Sequence, residues 1–505
     1  MSKSRDERLR RAFEIFPGFM TWATILGLIA VSVVRPLWAS IFIICFDLYW
    51  IIRVGYFTTL LVFAYRRLGV EKKINWIKRC EDLQTIDGLN CSNIYQAILF
   101  PSYKEGTQVI AASIQALIDC NYDKKKMIVA LAVEERAGIE YWDNARALQE
   151  RFKDNFYAFL VTAHPDGING EAKTKGANAT WGAKVLKDFL DSKKIEYERV
   201  IISCFDADTC AEKEYFGCLA YHYISSPGRL RSSYQPIPVY NNNIWHARSI
   251  ARVIELGSSF MQMIETMRLD KFVTFSSHSM SFKTLVEVGY WPVDMISDDS
   301  VIYWKCFLYF DGDYSVIPMY VTVSLDVATE KDIIPTIVKQ YKQKRRWAWG
   351  VENFPYVMMG FIKNKNIPLI KKVRRAFHLF ESHYTWAVWA IIVTFIAPLP
   401  LIFGGGLFRQ TSMGYNLPSV AAALFNVSIT TMFICMLMSI KLLPPRPKGV
   451  KAQKHLIMFT QWLLAPILAA CLGSTPAIDA QTRLMLGRYM HFHVTEKIRH
   501  GVTSN

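Results

Sequence analysis

Long apolar stretches at both ends of the chain flank a central part in which short apolar runs alternate with polar ones. Residues 12–34 and 36–65 are almost uncharged, and about 20 apolar residues suffice to cross a bilayer as a helix. We therefore predict a two-helix transmembrane hairpin within residues 1–70. Asp47 and Arg53 interrupt its second helix and are expected to face protein or the interface.

Three further membrane-length apolar stretches lie near the other end, at about 384–405, 418–441 and 456–474. Basic residues at both ends of the first hairpin place the N-terminus, and the chain after Arg67, in the cytoplasm by the positive-inside rule.

Five crossings would leave the C-terminus outside, but its basic residues are typical of a cytoplasmic tail. These are Arg483, Arg488, Lys497, Arg499 and His500. Either one segment is re-entrant, with Pro466 and Pro476 as candidate breaks, or the tail lies outside.

The central part has the pattern of a soluble α/β domain. Strands are predicted at 94–100, 127–133, 156–161 and 199–205, and helices near 107–119, 143–153 and 173–190. Alternation of strands with helices indicates a mainly parallel sheet. Ligands of such sheets bind beyond the carboxyl ends of the strands, so the residues that follow each strand are the ones to inspect.

Composition agrees with a membrane protein that carries a soluble domain. The 505 residues are 51% hydrophobic and the mean hydropathy is +0.14, which exceeds an ordinary soluble globule. The net charge of +16 suits anionic lipid or an anionic substrate, and the membrane spans argue against nucleic acid. Ten cysteines without metal-type spacing suggest neither a disulfide framework nor a zinc site.

Asp206-Ala207-Asp208 directly follows the fourth predicted strand, where two carboxylates can share a hard divalent cation that also holds a diphosphate. The motif alone is weak, since Asp311-Gly312-Asp313 has the same form and is predicted to be a polar turn between strands at 301–310 and 314–321. The position after a buried strand favours the first pair.

Ser297-Asp298-Asp299 precedes an apolar run and has two compatible interpretations. Ser297 could cap a helix whose first turn suits acidic residues. Alternatively, one acid could accept the proton of an acceptor hydroxyl, which an inverting group transfer requires.

The motif Gln343-x-x-Arg346-Trp347, which we call the pentad, lies between the soluble part and the second block of spans. It joins an amide, a guanidinium that can grip phosphate, and an indole that offers a flat face to a sugar ring. Trp347 could instead be an interfacial anchor.

Taken in order, these motifs resemble the membrane-embedded family 2 glycosyltransferases, the group of cellulose, chitin and hyaluronan synthases. The elements are Pro-x-Tyr-x-Glu at 101–105, Glu134-Glu135, Lys173-Thr174-Lys175-Gly176-Ala177-Asn178, Asp206-x-Asp208, Ser-Asp-Asp at 297–299 and the pentad. The resemblance implies a GT-A fold that binds a nucleotide sugar, usually a UDP-sugar, with Mg²⁺ or Mn²⁺.

The resemblance also implies roles on the donor side. Glu134 or Glu135 would contact the nucleoside, although the family usually has Asp-Asp there. Lys173 would lie near the diphosphate, or be an ordinary solvated lysine at a helix end. Asp206 would contact nucleotide or metal, and Asp208 would ligate the metal.

On the acceptor side, Asp299 would be the general base with Asp298 beside it. Gln343 and Arg346 would contact the donor, and Trp347 would form a floor under the acceptor sugar. The segment 275–280 departs from the family by lacking a glycine. His278 there could hydrogen-bond a sugar or be structural.

The implied activity is inverting transfer of a hexosyl or N-acetylhexosaminyl group onto a growing polysaccharide, with export through the membrane. A non-processive transferase with a lipid or lipid-linked acceptor is the alternative, and a non-catalytic membrane subunit is a third. We expect a multi-pass cell (plasma or inner) membrane protein whose catalytic domain is cytoplasmic and whose spans contact lipid. The predicted units are residues 1–70, 75–330 (catalytic), 331–382 (pentad and interfacial helices on an anionic leaflet) and 383–505.

Overall fold

The computed structural model describes residues 4–83 and 88–490. Eight strands form a single sheet within them. The strands are β1 (Tyr95–Ser102), β2 (Met127–Glu134), β3 (Ala158–His164), β4 (Val200–Cys204), β5 (Cys210–Ala211), β6 (Ser232–Tyr240), β7 (Ser279–Ser281) and β8 (Ser315–Leu325).

The sheet has the order β3-β2-β1-β4-β7-β6-β8-β5. Strands β3, β2, β1 and β4 are parallel, as are β6 and β8. The short β7 is antiparallel to both of its neighbours, and β5 is antiparallel to β8. The predicted mainly parallel α/β sheet is thus confirmed.

Helices cover both faces of the sheet. Those of the soluble part are α3 (Trp76–Glu81), α4 (Thr107–Asp119), α5 (Ile139–Phe152), α6 (Lys175–Ser192), α7 (Tyr215–Ser225), α8 (Ser249–Thr266), α9 (Phe282–Glu287), α10 (Asp298–Tyr309), α11 (Ile333–Ala348) and α12 (Asn353–Lys363). The two helices that precede them are α1 (Arg5–Val34) and α2 (Pro36–Glu71).

The buried central strands explain why the sequence shows continuous apolar runs there. In β1, Ile98 and Phe100 pack into the cluster that contains Leu117 of α4. Ala97 and Leu99 face the other way, into the cluster that contains Leu186 of α6. A strand with helices on both faces has no polar side, so its residues form a nearly continuous apolar run.

The four predicted strands correspond to β1–β4, but the strand expected at residues 301–310 is wrong. That run lies in α10, which is buried on most sides; Val301, Ile302 and Phe307 are each fully buried. The polar turn expected at Asp311-Gly312-Asp313 does occur, between α10 and β8, and Asp311 has a left-handed φ of 51°.

Five segments of the described chain are long and apolar enough to cross a membrane: Arg5–Val34, Pro36–Glu71, Leu369–Phe403, Ser412–Lys441 and Lys454–Met485. The last three contain α13 (Leu369–Ile391), α14 (Leu399–Phe403), α16 (Ser412–Lys441), α17 (Lys454–Thr460), α18 (Ala465–Leu468) and α19 (Thr475–Met485), and α15 (Gly405–Arg409) precedes α16.

Asp47 and Arg53, the charged residues that interrupt the apolar part of α2, face protein, as expected. Asp47 is 1% exposed, and Arg53 pairs with Glu381 of α13.

Both ends of the last segment contact the soluble part. At its start, the Arg252 guanidinium donates to Gln461 Oε1 at 2.8 Å. At its end, Arg345 of α11 donates to Asp479 Oδ2 at 2.8 Å, and Arg11 of α1 donates to the carbonyl of Leu484 at 2.8 Å. Lys497, Arg499 and His500 lie outside the described residues.

Candidate active site

Lys175 is the centre of a cluster of three carboxylates from distant parts of the chain. Its Nζ lies 2.8 Å from Asp206 Oδ1, 2.9 Å from Asp299 Oδ1 and 3.8 Å from Asp298 Oδ2. The Lys175 side chain is only 11% exposed. The fold therefore brings together the acids that follow β4 and the acids that begin α10.

The start of α6 places this lysine. Thr174 caps the helix, since its hydroxyl accepts from Ala177 N at 3.3 Å. At Gly176 a Cβ would lie 2.6 Å from Pro292 O and 3.0 Å from Asp298 Cβ. The missing side chain thus allows the first turn of α6 to approach the loop before α10.

Asn178 fixes the same turn of α6 to the strand ends. Its Nδ2 donates to Ser102 O at 3.1 Å and to Ala132 O at 2.8 Å, at the ends of β1 and β2. The asparagine of the Lys-x-x-x-x-Asn motif therefore joins helix to sheet, and Lys175 lies one turn before it.

The two acids of the first Asp-x-Asp motif point to different neighbours. Asp206 accepts from Ser276 Oγ at 2.6 Å in addition to its contact with Lys175. Asp208 is 1% exposed, and its Oδ2 accepts from Asp326 N at 2.7 Å. Asp206 therefore faces the lysine cluster, and Asp208 faces the end of β8.

Within residues 4–83 and 88–490, no group of three or more His, Cys, Asp or Glu side chains is placed to hold a metal ion by itself. Mg²⁺ in proteins is commonly held by one or two carboxylates together with substrate phosphates. Asp206 and Asp208 fit that donor set, because both supply carboxylate oxygens just after the end of β4.

The acids of α10 differ in exposure. The Asp299 side chain is 26% exposed and the Asp298 side chain 4%. Burial, together with the neighbouring Asp299 carboxylate, raises the pKa of Asp298 to about 8. Its Oδ2 has no hydrogen-bond partner among the described residues. Asp299 is thus the acid that an acceptor can reach, and Asp298 is the buried one.

Lys175 keeps its charge in this setting. Burial alone would lower its pKa, but Asp206, Asp299 and Asp298 more than compensate and hold the pKa well above the ordinary value. One ammonium ion accordingly serves three carboxyl groups.

A small cavity of about 40 Å³ opens at the ends of β2 and β3. Its lining includes Glu134, Arg136, His164, Asp166, Glu171 and Lys173. Glu134 is 5% exposed and pairs with Arg136, whose guanidinium lies 4.3 Å from the centre of the Tyr103 ring. Glu135 is exposed, and its Oε2 accepts from Asp166 N at 3.1 Å.

Lys173 lines this cavity but is not part of the carboxylate cluster. Its Nζ pairs with Asp166 at 2.8 Å, and its side chain is 60% exposed. The lysine among the acids is instead Lys175, two residues later, which our sequence interpretation did not assign. The sequence Lys173-Thr174-Lys175 indicates that a lysine lies near the acids. Choosing between the two lysines requires knowing where α6 begins.

The pentad lies in the last turns of α11. Gln343 is 3% exposed, and its Oε1 has no hydrogen-bond partner within the described chain. The charge of Arg346 acts on Asp298 and partly offsets the rise in its pKa that burial causes. The motif therefore lies beside the carboxylate cluster.

Trp347 packs against the soluble domain. Its ring centre lies 5.7 Å from that of Tyr240, and Lys344 Nζ lies 3.6 Å from it on a ring face. Asp206 and Asp208 in turn act electrostatically on Tyr240. Trp347 thus lies at the cleft, and its role under the acceptor stays a prediction.

His278 is fully buried. Its Nδ1 lies 3.0 Å from Phe275 O, and Trp291 Nε1 donates to its Nε2 at 3.4 Å. Burial lowers its pKa, so the imidazole is neutral. Both ring nitrogens are engaged by protein, although Nδ1 is also 3.7 Å from Asp299 Oδ1; contact with a sugar stays a prediction.

The segment 275–280, which lacks a glycine, still contains one residue in a conformation that favours glycine. Ser277 has φ of 65°, in the left-handed region that side chains disfavour. Its hydroxyl is 3.0 Å from Thr209 Oγ1.

Glu352 is a second residue that the sequence interpretation missed. It follows the pentad by five positions, and its Oε1 accepts from the backbone nitrogens of Ile296 and Ser297 at 2.9 and 2.7 Å. Ser297 itself occupies the N-cap position of α10 but makes no capping bond. No local motif marks Glu352, because the backbone nitrogens that it accepts from, those of Ile296 and Ser297, are more than 50 residues away.

A family model described as glycosyl transferase family group 2 matches residues 201–443, just under half of the chain. The matched part begins in β4 and includes Asp206, Asp208, Asp298, Asp299 and the pentad. The match supports a family 2 glycosyltransferase. No curated protein matches the sequence.

Two solved structures are similar to this chain at low identity. A mannosyltransferase of Pyrobaculum calidifontis, in complex with GDP-Man and Mn²⁺, is 14% identical with a TM-score of 0.42 and covers 78% of this chain and 99% of its own. TarS 1–349 of S. aureus, in complex with UDP-GlcNAc, is 10% identical with a TM-score of 0.38 and covers 79% and 94%. The mainly parallel sheet is typical of a GT-A domain, and five candidate membrane helices of the described chain flank it.

Proposed function

We propose that this protein is an inverting glycosyltransferase that moves a sugar from a nucleotide-sugar donor, with UDP as the expected nucleotide, to an acceptor hydroxyl at a membrane surface. The observation that supports this best is the contact of one buried lysine with Asp206, Asp298 and Asp299. It joins the acids of the donor motif to the proposed base, at the carboxyl edge of a parallel sheet where ligands bind.

The proposed donor site extends from the cavity at the end of β2 to the carboxylate cluster. Glu134, Glu135 and Arg136 would bind the nucleoside; Glu134, Arg136 and Lys173 line the cavity. Lys175, Gln343 and Arg346 lie further along, where the diphosphate would bind. Four cationic side chains along this path, Arg136, Lys173, Lys175 and Arg346, suit a dianionic leaving group.

Asp299 is the proposed general base. Both of its oxygens lie within 3.2 Å of Lys175 Nζ and are occupied by that contact. An acceptor hydroxyl could approach them once the ammonium turns toward the donor phosphates. Donor binding would thus free the base. Asp299 then takes the hydroxyl proton while the oxygen attacks the anomeric carbon and the nucleoside diphosphate leaves, so that an α-linked donor gives a β linkage.

Asp206 and Asp208 would hold Mg²⁺ or Mn²⁺. When bound, that ion would neutralise charge that develops on the leaving diphosphate.

For the acceptor, we propose a growing polysaccharide that is bound over Trp347 and exported by the spans beside the site. A non-processive enzyme with a lipid-linked acceptor is the second candidate. It is favoured by the last apolar segment, both ends of which contact the soluble part. A segment that enters and leaves the membrane on the same side lowers the number of crossings to four, and fewer crossings leave less room for a polymer channel. The acceptor would be lipid-anchored at the cytoplasmic face of the cell membrane.

The test is reconstitution of the full chain in lipid with Mg²⁺ or Mn²⁺ and a panel of UDP- and GDP-sugars. The proposal predicts nucleotide release and a sugar product with at least one donor. Long chains would identify a processive synthase and single-sugar products the alternative. No turnover with any donor, in protein that still binds UDP, would contradict the proposed activity.

A further inference from the structure

The loop that leads into α10 is held by side chains from the segment after the pentad. Oε1 of Glu352 accepts from Ile296 N at 2.9 Å and from Ser297 N at 2.7 Å. These are the two residues directly before Asp298. Backbone amides before a helix are commonly satisfied by a local cap, but here the acceptor is more than 50 residues further along the chain.

The other oxygen of the same carboxylate is tied to the pentad segment. Trp349 Nε1 donates to Glu352 Oε2 at 2.8 Å, and Trp349 is 1% exposed, two residues after Trp347. One carboxylate thus joins the end of α11 to the start of α10.

Asn353 holds the other side of the catalytic acids. Its Oδ1 accepts from Ser297 Oγ at 3.0 Å, and its Nδ2 donates to Ser300 Oγ at 2.8 Å. Ser297 and Ser300 lie on either side of Asp298 and Asp299 in the chain. The side chains of Glu352 and Asn353 together therefore fix the chain on both sides of the two acids.

We propose that Glu352 is a positioning residue that sets the place of Asp299 relative to the pentad. The inference rests on the proposed function, because Asp299 is the base only in that reaction. Without the carboxylate, residues 296–297 lose their acceptor, and the first turn of α10 can shift away from Lys175. Among the described residues, no hydrogen bond joins Glu352 to the donor residues of β2, β4 or α6, so these residues are expected to keep their arrangement.

The test compares Glu352→Ala, Glu352→Gln and the matched control Glu214→Ala in the full chain. Glu214 also accepts from a backbone nitrogen, that of Trp76 at 2.9 Å, but it lies outside the proposed site. Three quantities are measured: kcat with the active donor, the Kd of UDP, and amide exchange of the peptide that covers residues 294–300.

Glu352→Ala is expected to lower kcat by about 100-fold, the scale of a misplacement of roughly 1 Å, with UDP affinity unchanged and exchange in 294–300 faster. Glu352→Gln should recover most of kcat, because its carbonyl can still accept from both backbone nitrogens. Glu214→Ala should leave kcat and the exchange of 294–300 as in the wild type.

Unchanged kcat in Glu352→Ala would overturn the inference, as would a parallel loss of UDP binding and folded protein, which indicates a structural role. If the wild type transfers no sugar, the proposed function fails separately. Exchange then decides whether Glu352 holds the loop: faster exchange in 294–300 supports the link, and unchanged exchange overturns it.

Discussion

Lys175 Nζ lies 2.9 Å from Asp299 Oδ1 although 124 residues separate the two in the chain. The contact joins the first turn of α6 to the first turn of α10. Because the side chain of Lys175 is almost buried and serves three acids, the pair organises the site before any substrate binds.

Lys175→Met is expected to lower kcat by about 100-fold or more, the scale for loss of a group that stabilises transition-state charge. Lys173→Met is the control, since Lys173 lies two residues away but pairs with Asp166 in solvent; it should change the donor KM more than kcat. The measurement is steady-state transfer by folded protein. A larger loss of kcat in Lys173→Met would reverse the assignment.

The buried Asp298 should make stability depend on pH. Its pKa is raised to about 8 in the folded protein, so the folded state binds a proton that the unfolded chain releases near pH 4. The resulting stabilisation is complete below about pH 4 and is lost as the pH rises toward 8.

Asp298→Asn removes this titration. The unfolding temperature of the variant minus that of the wild type should therefore increase between pH 5 and pH 8. The same difference at both pH values would show that Asp298 ionises normally.

Gly176→Ala should separate the two first turns. The added methyl would lie 2.6 Å from the backbone oxygen of Pro292, so α6 must move away from the loop before α10, and transfer should fall by about an order of magnitude or more. Gly257→Ala in α8 is the control, because nothing lies within 4 Å of its added methyl; it should stabilise the helix by about 1 kcal/mol. Wild-type transfer by Gly176→Ala would show that the close approach is not needed.

The last apolar segment is expected to start and end on the side of the soluble part. In a background without the exposed Cys45 and Cys471, Arg488→Cys should react with an impermeant maleimide from the same side as Lys194→Cys of the soluble part. Gln410→Cys, in the turn between α15 and α16, should react from the other side. Labelling of Arg488→Cys together with Gln410→Cys would indicate a fifth crossing.

The central strands were predictable because burial on both faces leaves a continuous apolar run. The same signal misled at residues 301–310, where α10 is surrounded by protein and so lacks a polar stripe. Apolar runs of this kind do not distinguish a buried strand from a buried helix by periodicity.

The acids of the site were predictable from their position after β4 and before an apolar run, but their partners were not. Lys175 rather than Lys173 faces the acids because Thr174 fixes the first turn of α6. Glu352 acts on a loop more than 50 residues before it. Both depend on tertiary packing that no local pattern records.

The most direct test of the proposed chemistry is transfer by Asp299→Asn in lipid, with the donor that the wild type uses. The account predicts that turnover falls by at least about 100-fold, while the variant still binds UDP with wild-type affinity and remains folded. Turnover by Asp299→Asn at the wild-type rate would contradict the assignment of Asp299 as the general base.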